Sequence, residues 1–580
     1  MWWVKDPDRL KQEVAAVDAL REQEAWLTAA TPRVLKGLKF AYEFDVTVNG
    51  ETYPFGLLYP AFFPETPPQV LPRDGRRVSG HQYGDGGELC LEYRSDNWDP
   101  SVTGAMMMAS TYRLLAGERP APDERAVVPS EHRVSLGQEL RNVACRFLVT
   151  PALLRHAAEL PAGSYRDGRV VEVTAPRTTW SAHIASLGPV DAPEWRENGI
   201  PVIDDKTEPC LLLRLESLAG VPELPDQDTL DRLIASMRGP DAPAAAIEAG
   251  HSRFLVVTDG VSTRMFLSFT KLDGERVVIA YTTVGFMEAG GRLPESYAVL
   301  AEKKVGLVGC GSLGSKIAVS LARSGVGEFV LVDDDILKPG NLRRHELDGR
   351  SLGAHKADGL EVRLKAVAPG IKVNARRVAL GGQESSGSTA SVLDRLAECD
   401  LVIDAAADPQ AFNFVASVVR NALVPMIWAE VYAGGVGGFV ARVRPHIEPP
   451  PHAARRQYLA WCRDQGLPWQ GDDCDYGGQV GEDRPLVADD ADVAVIAAHA
   501  TRMAVDTLVR PDASAFPNPA YVIGLSAEWL FAAPFDTRPI DFVAEGPWAT
   551  AIAARTEAAI EFMTSLLDQD EDEDRTGTGG

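Results

Sequence analysis

One stretch, residues 305–356 (VGLVGCGSLGSKIAVSLARSGVGEFVLVDDDILKPGNLRRHELDGRSLGAHK), restricts the folds open to this chain more than any other. A short apolar run, 305–308, leads into Gly309, Gly311 and Gly314 in G-x-G-x-x-G spacing, and an apolar helical pattern continues over 317–323. The order reads strand, tight turn, helix. Glycines are required at such a turn because side chains would keep the backbone away from a phosphate, while the helix amino end offers its free N–H groups to the anion. A second apolar run, 329–332, ends at Asp333, about twenty residues past the last glycine, where a carboxylate can accept hydrogen bonds from a ribose. The pattern predicts a Rossmann-like α/β domain with a nucleotide site.

The residues after Asp333 separate the possible nucleotides. Asp335, Asn341, Arg343, Arg344 and Lys356 form a dense polar series that a dehydrogenase does not need. Fixed guanidinium and ammonium groups suit a triphosphate, because they stabilise charge on a transferring phosphoryl group and its leaving pyrophosphate.

At 580 residues the chain is too long for one ordinary domain, and two to four are expected. A formal charge of −24 argues against a broad nucleic-acid surface, which would need Lys and Arg to release counterions. The amino end (MWWVKDPDRLKQE) has no charged-then-apolar signal arrangement, and no run of about eighteen apolar residues would span a bilayer. These features predict a cytoplasmic protein with no membrane partner. Seven cysteines with no C-x-x-C pair point to reduced thiols and give no signal for structural zinc.

The series G-x-G-x-x-G, Asp-x-Asp, Asn-Leu-x-Arg and Gly-x-x-Lys resembles the adenylation domain of ubiquitin-activating enzymes and their bacterial relatives of the ThiF and MoeB type. The resemblance covers roughly residues 297–530. It implies ATP and Mg2+ as cofactors, with Asp333 on the ribose, Asn341, Arg344 and Lys356 on the phosphates, and an aspartate after the next strand, 401–403, on magnesium. Asp404 and Asp408 are both available there. Their spacing departs by one residue from the commoner D-x-x-D, and Asp408 ranks first.

The amino-terminal part reads as an amphipathic helix with Leu10, Val14, Val17, Leu20 and Trp26 on its apolar face. Two strands over 40–48 and 52–59 come next, joined by Asn49-Gly50, a strong hairpin signal. After a proline-punctuated segment come His81, Gly87-Glu88-Leu89-Cys90-Leu91 and Trp98-Asp99-Pro100. On its own Cys90 is an ordinary buried thiol, but this order resembles the ubiquitin-conjugating fold over about residues 1–125. By that resemblance Cys90 carries a modifier as a thioester. The family's His-Pro-Asn is here His81-Gln82-Tyr83, so the asparagine that supports the oxyanion is replaced, and Gln82, Tyr83 or backbone N–H groups are the candidates.

A charged, proline-bearing stretch near 118–129 marks a boundary. Residues 130–295 carry β-rich runs (RVVEVTAP, CLLLRLES, RFLVVTDG, RVVIAYTTV) and read as a mixed α+β connecting domain, with Cys145 and Cys210 in its core. In the last domain Cys310 and Cys399 read as structural. Two thiols remain as acyl acceptors for the adenylation reaction. Cys462 sits in a segment that reads as a packed helix (RRQYLAWCRD), whereas Cys474 sits in a polar, glycine-rich loop ahead of an apolar helix, 493–508. The ThiF-type resemblance favours Cys474, although Asp472, Asp473 and Asp475 work against its ionisation. The last residues, DQDEDEDRTGTGG, read as an acidic disordered tail.

The expected organisation is therefore α/β and α+β multidomain. It comprises a ubiquitin-conjugating-like domain (1–128), a connecting domain (129–295), a Rossmann-like ThiF adenylation domain (296–565) and an acidic tail (566–580). This joint arrangement is similar to the bacterial fusion enzymes of type II CBASS antiphage systems. The similarity implies that ATP and Mg2+ activate the C-terminal carboxylate of a modifier, a cGAS/DncV-like nucleotidyltransferase in that family. The acyl group then passes by thioesters from Cys474 to Cys90 and on to a target amine, and a homodimer is expected. Sulfur-carrier activation of the ThiF/MoeB kind and a non-catalytic scaffold are the alternatives.

Overall fold

The computed structural model describes residues 1–84, 86–119, 135–175, 179–201, 206–237, 251–285, 292–466, 488–549 and 559–565. It divides into two compact units, Met1–Val143 and Ala144–Gly580.

The first unit opens with a short helix, Trp2–Lys5, and then the helix Pro7–Gln23. Proline at its first turn and Asp6, whose side chain accepts the Arg9 N–H at 2.9 Å, fix its start. Four antiparallel strands come after it in sequence order, Leu27–Leu35, Lys39–Val48, Glu51–Leu58 and Gln69–Pro72. The hairpin expected at Asn49-Gly50 forms with both residues at positive φ and Val48 opposite Glu51. A small hairpin, Gln82–Tyr83 with Glu88–Leu89, then leads to the helix Gly104–Glu118. Phe44, Phe55, Leu57, Met108 and Leu115 are fully buried between sheet and helices. Trp26 falls beyond the Pro7–Gln23 helix and stacks on Tyr112 at 4.6 Å, so it packs from the entry to the sheet and not from the helix face.

Glu13, on the buried side of the Pro7–Gln23 helix, ties this unit together. Its carboxylate takes hydrogen bonds from Arg9, the Tyr59 hydroxyl at 2.7 Å and the Gly104 N–H at 2.6 Å. A fully buried carboxylate needs such a set of charge-assisted partners. Arg9 also donates to the carbonyls of Pro100 and Val102, which anchors the segment between Cys90 and the last helix.

The second unit holds two sheets. In the first, all four runs singled out in the sequence lie on strands: Ser164–Ala175, Glu208–Arg214, Ser252–Thr258 and Arg276–Gly285. Ser164–Ala175 is long enough to pair with both Glu208–Arg214 and Thr179–Leu187, and a register shift at Arg169/Val170 bends it. The sheet thereby closes on itself. Phe147, Ile184, Cys210, Leu212, Val256 and Met265 belong to one of its cores.

The second sheet runs in the order Lys372–Arg376, Glu328–Val332, Lys304–Val308, Leu401–Asp404, Met426–Val431, Gly437–Val443, Ala520–Gly524, Thr537–Ile540. Its first five strands are parallel and the rest antiparallel. Apart from the edge strand Lys372–Arg376, the parallel strands are buried on both faces, as expected when crossover helices cover them. Chain direction across the sheet reverses beside Lys304–Val308: the next strand in sequence lies on one side and Leu401–Asp404 on the other. Such a switch point leaves a crevice at the carboxyl ends of the strands, where ligands bind in open α/β sheets. Among the described residues, no helix is long and apolar enough to cross a membrane.

Candidate functional site

The crevice is a cavity of about 460 Å³. The three glycines of the turn each do something different there. Gly309 has φ +88, and a Cβ on it would lie 2.6 Å from the Ala406 nitrogen, so only glycine fits. At Gly314 a Cβ would come within 1.9 Å of the Gly309 carbonyl oxygen, which locks helix against strand. Gly311 has open space around it and caps the helix Ser312–Ser324 without a side-chain bond. The unsatisfied N–H groups of that helix start are therefore presented to the cavity that Gly311 and Ser312 line.

The polar wall matches the predicted series closely. Asp333, Asn341, Arg344, Lys356 and Asp408 all line the cavity. The Asp333 carboxylate is aimed by two backbone donors, Cys310 N–H at 2.7 Å and Asp335 N–H at 2.9 Å. Burial raises its pKa, while the Lys356 charge and these two N–H groups pull it back. Lys356 begins the helix Lys356–Val367 and pairs with Asp335 at 2.6 Å. Although burial opposes it, Lys356, the Ile336 N–H and Lys338 hold the Asp335 carboxyl down at about 2. Asn341 accepts the Lys338 N–H at 2.9 Å, closing the short turn Pro339–Arg343 that carries Arg344 to the cavity. Arg343, one residue earlier, is exposed.

Asp404 and Asp408, both available in the sequence with Asp408 ranked first, separate in space. Asp404 is 1% exposed, and its carboxylate accepts the Ala406 N–H at 3.1 Å; burial pushes its pKa up to about 7, with Glu430 and Asp408 adding to the effect. Asp408 is exposed on the cavity wall and caps the helix Pro409–Ala422, taking the Gln410 N–H at 2.9 Å. The extra residue of the D-x-x-x-D spacing, Ala407, is absorbed in a left-handed conformation at φ +54.

The donor set fits a magnesium ion held through a nucleotide. No group of three or more His, Cys, Asp or Glu side chains that could hold a metal occurs among the described residues. Asp334 and Asp408 are the exposed carboxylates on the cavity wall, and Mg2+ is commonly held by one or two carboxylates when substrate phosphates supply further ligands.

His345 is a site residue that the sequence does not reveal. It is buried at the cavity, where its Nδ1 accepts the Leu347 N–H at 3.1 Å and its Nε2 therefore donates to the Cys310 carbonyl at 2.8 Å. Burial depresses its pKa to about 4, so the neutral ring pins the phosphate turn. Its one sequence signal is adjacency to Arg344.

The thiols sort by burial. Cys310 and Cys399 are core residues, at 0% and 5% exposure, and Cys210 packs inside the closed sheet. Cys462 is 2% exposed, and burial pushes its thiol up to about 11, which speaks against it as a nucleophile. Cys474 lies outside the described residues.

Cys90 closes the small hairpin of the first unit, its N–H donating to the His81 carbonyl at 2.7 Å. Burial raises its pKa, Arg94 offsets part of this, and Asp96 adds to it. Gln82 is 3% exposed and held at both ends of its amide: its Oε1 accepts the N–H groups of Val78 at 2.6 Å and Ser79 at 3.0 Å, and its Nε2 donates to the Gly87 carbonyl at 2.7 Å. That removes Gln82 from the candidates for the missing asparagine.

Residues 288–509 match the ThiF family. The chain is 28% identical over 267 residues to an uncharacterised protein, y4qC, of Sinorhizobium fredii, covering 44% of this chain and 46% of that one. It is 31% identical over 163 residues to the ATP-dependent ubiquitin transferase-like protein Cap2 of Escherichia coli, covering 26% of each. With the Cap2 of Vibrio cholerae it shares 33% identity over 129 residues, 21% of this chain and 20% of that one. The matched spans thus cover less than half the length of these relatives. Among solved structures, a crystal structure of E. coli MccB with AMPCPP and MccA aligns at 18% identity and a TM-score of 0.33, over 44% of this chain and 68% of that one.

Proposed function

We propose, with a ThiF-family domain over residues 288–509 as the premise, that this chain is an ATP-dependent, ubiquitin-activating-like enzyme that also conjugates. In this reading the second unit activates the C-terminal carboxylate of a modifier protein as an acyl-adenylate. Cys474 takes the acyl group, Cys90 receives it by thiol exchange, and an amine of a target protein takes it last. The domains run 1–128, 129–295 and 296–565, the first of the ubiquitin-conjugating type. Relatives named ATP-dependent ubiquitin transferase-like protein Cap2 support the ubiquitin-like transfer, and to this reading belong the expectations drawn from the resemblance to type II CBASS fusion enzymes: a place in bacterial antiphage defence, a cGAS/DncV-like nucleotidyltransferase as modifier, the cytoplasm and a homodimer.

The observation that carries the adenylation step is the convergence of Asp333, Arg344, Lys356 and Asp408 on one cavity at the uncapped start of the Ser312–Ser324 helix. A ribose carboxylate, two phosphate cations and a metal carboxylate around a phosphate turn are what acyl-adenylate formation needs. Mg2+ on Asp408 would neutralise phosphate charge. The order helix, four-stranded meander, cysteine hairpin, helix supports the conjugating role of the first unit.

The test uses the full chain with ATP, Mg2+ and a cGAS/DncV-like nucleotidyltransferase. Pyrophosphate release and a reductant-sensitive adduct are expected. Cys474→Ala keeps pyrophosphate exchange and loses both thioesters, whereas Cys90→Ala keeps the first thioester and loses conjugation. Charging of Cys90 in the Cys474→Ala protein would overturn the relay, and absence of exchange in the wild type would overturn the adenylation reading for this modifier.

A further inference from the structure

The nucleotide cavity has a charged wall and a neutral one. Asp333, Arg344, Lys356 and Asp408 make the first, whereas Val378, Ala379, Leu380, Gly382, Gln410 and Ala411 carry no charge. Strand order says which part of a nucleotide meets the neutral wall. The phosphate turn leaves the strand Lys304–Val308, Asp333 leaves its neighbour Glu328–Val332, and the chain over 378–382 follows the next strand out, Lys372–Arg376. A nucleotide with its phosphates at the first and its ribose at the second therefore extends its base toward the third.

Gln410 is held at that wall by two fixed turns. Its own N–H is taken by the Asp408 cap of the helix Pro409–Ala422. Opposite it, the Gly382 N–H donates to the Ala379 carbonyl at 3.0 Å and the Ala379 N–H to Glu384 at 3.0 Å. Between them Gly381 has φ +94, and a Cβ on it would lie 2.6 Å from the Gln410 Cβ and 3.0 Å from its Oε1, so only glycine lets the turn close on this side chain. The Gln410 carboxamide makes no hydrogen bond among the described residues, whereas the other carboxamide at the cavity, Asn341, has its oxygen on the Lys338 N–H. We propose that Gln410 reads the base: its Oε1 accepts from the 6-amino group of adenine and its Nε2 donates to N7, so that the site selects adenine over guanine. The inference rests on the ATP-dependent reading of this cavity.

The chemistry of the carboxamide suits this edge. It sets one acceptor beside one donor group, and adenine answers with a donor at the 6-amino group and an acceptor at N7. Guanine shows two acceptors there, O6 and N7, so the Gln410 oxygen would face another oxygen with no proton between them. Leaving a polar group unpaired on binding costs more than a pair gains, which turns one mismatch into selectivity. Val378 and Leu380, at 7% and 5% exposure, supply apolar surface beside the amide, where a hydrogen bond is stronger than in water. A neutral reader also adds no charge next to Asp408, which leaves that carboxylate to the phosphate end.

The experiment needs no modifier. The full chain with Mg2+ is titrated calorimetrically with ATP, GTP and 7-deaza-ATP, which lacks the N7 acceptor. The wild type is expected to bind ATP on the order of 10- to 100-fold more tightly than GTP and about 5-fold more tightly than 7-deaza-ATP. Gln410→Ala, a change at an exposed helix position, should weaken ATP on the order of 10-fold and bring the three nucleotides within about 3-fold of one another. A variant that weakens all three by one common factor, or leaves the wild-type preferences in place, overturns the assignment of Gln410, as does a wild type that binds the three alike. A wild type that binds none of them overturns the nucleotide reading of the cavity, and the inference falls with it.

Discussion

The nucleotide cavity and the Cys90 hairpin are built by opposite means. Around the cavity, charged side chains sit on strand ends and helix starts, and each is aimed by a second polar group: Asp333 by two N–H groups, Lys356 by Asp335, the phosphate turn by His345. Around Cys90 the order comes from the backbone ladder and one buried amide, Gln82, and burial leaves the thiol harder to ionise than a free one. A raised thiol is a slow nucleophile at neutral pH. Under the proposed function the difference locates the driving force: the cavity would activate an acyl group, and the hairpin would hold one that arrives activated.

The largest expected effect breaks one region and spares the other. Lys356→Ala removes the cation closest to Asp333 and Asp335, and ATP–pyrophosphate exchange should fall about 10³-fold. Acylation of Cys90 by N-acetylglycine thiophenyl ester should be unchanged. An equal loss in both assays would mean that the two regions do not work independently.

The second effect separates two carboxylates within the cavity. Asp408→Asn should abolish most exchange, because Asp408 is an exposed carboxylate on the wall at the start of the Pro409–Ala422 helix, whereas Asp404 is buried behind it. Asp404→Asn should retain it and should change stability with pH. The folded pKa of Asp404 is raised to about 7, so the stability owed to its neutral form is complete below the unfolded value and is lost as pH rises toward 7. Relative to Asp404→Asn, the wild type should therefore weaken between about pH 4 and 7, by up to about 4 kcal/mol, and run parallel above that. Denaturation curves across pH measure the change. A wild type that instead gains on Asp404→Asn as pH rises would show Asp404 to be a functional anion.

These contrasts mark what is and is not legible in the sequence. The turn glycines, Asp333, Arg344 and Lys356 are legible because each stands at a fixed spacing from a strand end or helix start. His345 is not, because its role depends on a bond to Cys310, 35 residues away in the chain. Gln82 reads as an amide available to Cys90, and only folding buries it. The strand Leu27–Leu35 carries Pro32 and is exposed along its second half, so it lacks the alternation that reveals Lys39–Val48. Cys474 is singled out by loop composition alone and lies outside the described residues.

The smallest effect tests how the cavity accommodates its unusual spacing. Ala407 adopts φ +54, a conformation that costs an L-residue roughly 1–2 kcal/mol, and glycine would remove that cost while adding chain entropy of roughly 0.5–1 kcal/mol. Ala407→Gly should therefore stabilise the second unit by about 1 kcal/mol or less and leave exchange intact, as read by denaturant midpoint and pyrophosphate exchange. Ala407→Val, with a branched Cβ in the left-handed region, should destabilise it. Deleting Ala407 restores the D-x-x-D spacing but pulls Asp408 away from the cap it forms with the Gln410 N–H. If the deletion keeps full exchange, the position of Asp408 is not set by its cap. If exchange falls while Ala407→Gly stays active, the extra residue is what delivers the carboxylate to the cavity.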